Sequence, residues 1–75
     1  MDAQQSLRRL FAEHYEPIKA TLSEPARYPA WLVESAILLA LTDAVRSIQA
    51  GGAPDRQSLL ASAVRQAVKL RRLAR

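Results

Sequence analysis

There is no cysteine in this 75-residue sequence, so neither a disulfide staple nor a reactive thiolate is available to it. A single histidine, His14, cannot assemble a zinc site. Strand signals are equally scarce. No stretch alternates apolar and polar residues between turn residues, and Val, Ile, Thr and the aromatics are outnumbered by Ala, Leu, Arg and Gln. No apolar run approaches the roughly 18 residues that a membrane-spanning helix requires. The opening MDAQQS is acidic and polar, unlike a secretory leader, and cytoplasmic residence is the expectation. A glycine-rich phosphate loop, a paired-histidine metal motif and a serine flanked by glycines are all missing. No enzymatic activity, cofactor, metal or small-molecule substrate is therefore expected.

What the chain does have is apolar content, at 49 %, which excludes an ordinary disordered tail. A chain this short buries only about 60 % of the surface its unfolded form exposes, and such a core supplies no more than ~3 to 5 kcal/mol. With disulfides and metals excluded, the remaining support is a second chain. A homo-oligomer or a larger protein partner is the expected state.

Helical periodicity organises the sequence into an all-α chain, one domain over residues 1–75, expected as a small three- to four-helix bundle. In the first segment Leu7, Leu10, Phe11, His14, Ile18 and Leu22 follow steps of three and four, one apolar stripe on a helix capped by Asp2 or Ser6. Pro17 removes a backbone donor from that helix, which predicts a kinked or broken N-terminal element, helices over 3–15 and 17–23. Pro25 and Pro29 place a loop between residues 23 and 29. A second long helix spans 30–50 and ends at Gly51 and Gly52, and a third spans 54–74 with Pro54 and Asp55 in its first turn. The short GGAP link makes these two an antiparallel hairpin.

The central helix carries more apolar surface than one neighbour covers. At 100 degrees per residue, Val33, Ile37, Ala40, Leu41, Ala44, Val45, Ile48, Leu38 and Trp31 take about half the circumference, the expected core face. Leu32 and Leu39 project on the opposite side beside Asp43 and Arg46, seven residues apart, the spacing of a packing seam. Either the first helix wraps far enough to cover them, or they meet a partner. Tyr28 and Trp31, flanking Pro29, suit a clasp over the open end of the bundle, and Leu32, Leu39, Trp31 and Tyr28 are the candidate interface. Glu34, in the first turn, is either a solvated acid or a partner for Arg71 or Arg75.

Charge is divided unevenly along the chain. Residues 1–50 carry five basic and six acidic side chains, whereas 51–75 carry six basic and one acidic, for an overall charge of +4. In the last helix Leu59, Leu60, Ala63, Ala67, Leu70 and Ala74 form the apolar stripe, and Arg65, Lys69 and Arg72 cluster on the far side. That ridge is either a solvated face opposing the helix dipole or a contact for phosphate or an acidic protein. No Asn or interleaved aromatic accompanies it to read or stack on bases, and in a helix-turn-helix the charge would stand at the wrong end. In the cluster Glu13, His14, Tyr15 and Glu16, neighbouring residues point in different directions, so convergence on a substrate is not expected, and His14 reads as a partly buried structural residue. The leading expectation is a small interaction or regulatory protein that oligomerises or docks on a larger partner through apolar helix surfaces. The alternative is a basic regulator contacting nucleic-acid phosphates through its last helix.

Overall fold

A computed structural model describes residues 2–24 and 28–74. Three helices account for nearly all of them: α1 (Ala3–Ser23), α2 (Ala30–Gln49) and α3 (Arg56–Leu73), with no strand among the described residues. Arg27 and part of the expected loop, and Arg75, lie outside the described residues.

Each boundary has a local cause. Asp2 caps α1, its carboxylate accepting the Gln5 N–H at 2.7 Å, while Ser6, the other cap candidate, is buried inside the helix. Asp55 caps α3 in the same way through the Ser58 N–H at 2.8 Å, so that helix starts at Arg56 and Pro54 stays in the link. The Ser58 N–H, and the Ser58 hydroxyl after it, hold the Asp55 carboxyl below its ordinary value. At the other end of the hairpin, α2 closes with two reversed bonds: Gly51 N–H donates to the Ile48 carbonyl at 3.0 Å and Gly52 N–H to the Ser47 carbonyl at 2.7 Å. Gly51 takes φ +94, which a side chain resists, and a Cβ on Gly52 would strike the Ser47 hydroxyl.

The expected break at Pro17 is not there. α1 continues through it as one helix of 21 residues, giving three helices rather than four. Pro17 cannot donate to the Glu13 carbonyl, and that carbonyl instead accepts from the Arg56 guanidinium of α3 at 3.0 Å. A tertiary bond thus replaces the missing helical one.

α2 lies between the other two helices, and α1 and α3 touch each other least. Ser6 and Leu10 of α1 lie by Ile48 at the end of α2, so these two run antiparallel. α3 returns antiparallel as well, with Gln66 reaching Asp43 at 3.4 Å. The core joins Leu10, Ile18 and Leu22 of α1 to Val33, Ile37, Leu41 and Val45 of α2 and to Leu59 and Ala63 of α3. Alanines at 36, 40, 44, 63 and 67 let the backbones approach closely.

Candidate functional site

Two surfaces remain once the core is closed, and the first is the outer face of α2. α1 and α3 flank this helix from two sides, so its buried arc is wide and takes in Leu32, which the helical projection places outside. Leu32 is 1 % exposed, packed with Ala36 and Ala67 under Tyr28 and Leu70. It is α3, not α1, that covers it. The seam expected from Leu32 and Leu39 therefore does not exist as a surface. Leu39 stays out at 42 %, and it is joined by Trp31 at 53 % and Leu38 at 45 %, both of which the projection counts in the core face and which the flanking helices leave uncovered. Between them stand Ser35 and Thr42. Their hydroxyls donate back to the Trp31 and Leu38 carbonyls, each at 2.8 Å, so neither needs water or a partner.

Tyr28 does cap one end of the core, as its position beside Pro29 implies. Its ring packs on both apolar clusters with the Arg71 guanidinium over it at 5.8 Å. Glu34 is exposed and makes no ion pair with Arg71 or any other of the described residues. Trp31 does not share the capping role.

The second surface is the outer side of α3. Arg65, Lys69 and Arg72 come together, as expected from their spacing, around a depression of about 300 Å³ completed by Gln66 and Val68. None of the three has a carboxylate partner among the described residues. Val64 and Val68 are also exposed on this helix, which makes the ridge basic and apolar at once.

A third feature was not expected. Glu13 and His14, adjacent in sequence, bend towards each other until Nε2 and Oε2 are 3.6 Å apart, and Arg9 joins Glu13 at 3.3 Å. Arg56 donates from Nε to His14 Nδ1 at 3.2 Å. The four side chains form one line across α1 and the start of α3, beside a cleft of about 290 Å³ lined by Ser6, Leu10, Ile48 and Pro54. Long side chains allow this even where the Cα directions diverge. With one nitrogen accepting from Arg56 and the other turned to Glu13, the imidazole has no lone pair free for a substrate. Tyr15 takes no part, being stacked on Phe11 at 4.4 Å.

The class these features define is a small all-helical protein whose central helix keeps one apolar face open. Among the described residues no helix is long and apolar enough to cross a membrane, and no group of acidic or histidine side chains could hold a metal ion. Comparison with family models, with curated proteins and with solved structures finds no match to this chain.

Proposed function

We propose that this chain is a small, non-enzymatic interaction or regulatory protein of the cytoplasm that works by docking on another protein through the outer face of α2. The observation that carries this reading is the exposure of Trp31, Leu38 and Leu39 on the helix that also supplies most of the core. Large apolar side chains grouped on one face, with the intervening hydroxyls already satisfied, form a surface that can be dried without leaving a polar group unpaired. Tryptophan is also the residue type most enriched at the energetic centre of interfaces.

The test is capture by the tagged chain from its native extract, with nuclease added to a parallel sample. Capture of a protein that survives nuclease and is lost with Trp31→Glu plus Leu39→Glu is the expected result. Capture that disappears with nuclease, or that ignores both substitutions, overturns it.

A second reading is favoured by a separate observation, the meeting of Arg65, Lys69 and Arg72 without carboxylate partners among the described residues. On this reading the ridge contacts nucleic-acid phosphates, positioning the protein without reading sequence.

A further inference from the structure

On the open face of α2, Trp31 and Arg46 stand equally far from the point between Leu38 and Leu39, and so do Ser35 and Thr42. Along it Trp31, Ser35, Leu38, Leu39, Thr42 and Arg46 follow at steps of four, three, one, three and four residues. At 100 degrees per residue the six stay within an arc of about 100 degrees. At 1.5 Å per residue they extend over about 22 Å. A two-fold interface requires a surface of this kind, because residue i must meet j while j meets i.

The geometry points to a second copy of this chain as the occupant, lying antiparallel on α2 with the two-fold axis between Leu38 and Leu39. This rests on reading the outer face of α2 as a docking surface. In that register each of the two leucines packs on the other's counterpart across the axis. Ser35 stands opposite Thr42 of the second copy, two small residues that let the helices approach. The Trp31 ring at one end faces the Arg46 guanidinium at the other, an aromatic face against a cation. Arg46 is free to turn, since the ion pair it makes with Asp43, at 3.8 Å, is on the surface.

Charge selects this orientation. Each copy carries +4, so two copies can meet only where charge is sparse, and the stripe from Trp31 to Thr42 holds none. α3 runs antiparallel to α2, which leaves Lys69, Arg71 and Arg72 beside the amino end of α2. A parallel pair would set two such basic ends side by side. The antiparallel pair sets them at opposite ends of a helix about 30 Å long, several times the ~8 Å screening length at physiological salt.

Trp31 is the only tryptophan, so its emission reports on this face alone. Between ~1 and ~100 μM the chain is expected to sediment increasingly as a dimer while the Trp31 emission moves to the blue. Leu38→Glu with Leu39→Glu should raise the dissociation constant at least ~100-fold with the helical signal intact, because both side chains are exposed in the single chain. Register is tested with thiols, which the chain lacks. A mixture of Ser35→Cys and Thr42→Cys should cross-link on oxidation. Ser35→Cys alone should not, because its two copies would lie about 10 Å apart along the axis, beyond the ~7 Å span of a disulfide. A monomer throughout the range, a dimer indifferent to the two glutamates, or preferential self-linking of Ser35→Cys overturns the proposal. A monomer whose glutamate variant loses a captured protein overturns only the second copy and leaves the docking surface standing. A monomer whose variant behaves as wild type in capture removes both.

Discussion

At the residue scale, the informative position is Pro17, where a local rule is broken and the cost is met from another helix. An interior proline leaves the carbonyl four residues earlier without its helical donor, and that of Glu13, an exposed residue, would otherwise be left to water. Arg56 supplies the donor to Glu13 and, from Nε, a second bond to His14, so one guanidinium ties the start of α3 to the middle of α1. This is the main polar link between two helices that otherwise meet little. Arg56→Ala is expected to lower stability by about 1 kcal/mol in urea unfolding. Pro17→Ala changes the sum, because the new backbone N–H at position 17 can bond the Glu13 carbonyl within the helix. The penalty of Arg56→Ala should then shrink by about half a kcal/mol or more, a coupling that a double-mutant cycle reads directly. Strictly additive penalties would show that the guanidinium is not replacing the helical donor. The sequence shows the proline but not its remedy, since residues 13 and 56 are brought together only by the packing of α1 on α3.

At the scale of the element, α2 shows where sequence periodicity succeeds and where it stops. Val33, Ile37, Ala40, Leu41, Ala44 and Val45 are apolar and recur at helical steps, and all six are buried. Asp2 and the Gly pair were legible too, because caps act within a few residues of where they stand, whereas Pro54 and Asp55, expected in the first turn of α3, stand before it. What periodicity cannot supply is the direction of the neighbours. Two flanking helices bury more than half of the circumference of α2, and the centre of that arc is set by α1 and α3 rather than by α2 itself. Leu32 and Leu39 are seven residues apart and nearly in phase, so they look alike on a projection. One lies by Ala67 of α3 and the other lies past its reach. The difference is measurable at protein concentrations below any association. Leu32→Ala should cost ~2 to 5 kcal/mol of unfolding free energy, the range for emptying a closed core site. Leu39→Ala should stay within about 0.5 kcal/mol, as for a surface position. Equal losses in urea titrations of the two variants would mean that the burial of these leucines is not as described.

At the scale of the whole molecule, the two open surfaces are on different helices and differ in kind: α2 offers an uncharged apolar face, and α3 a ridge with three cations and exposed valines. They also separate experimentally. Apolar contacts respond little to salt, whereas binding to nucleic-acid phosphates releases counterions and weakens steeply as salt rises. Arg65→Gln, Lys69→Gln and Arg72→Gln together should leave the helical signal intact, because all three side chains are exposed on α3 and glutamine is a good helix former. They should not weaken association through α2, since none lies on its stripe. If the ridge binds duplex DNA, the triple variant should bind more weakly at ~50 mM salt, and its logarithmic salt slope should fall by up to about three, close to one for each phosphate no longer neutralised. The weakening should be the same for unrelated duplexes if the three cations meet phosphates alone, since phosphate contacts carry no sequence information. Wild type and variant binding alike, or neither binding at low salt, would leave the ridge as a solvated face that opposes the dipole at the end of α3.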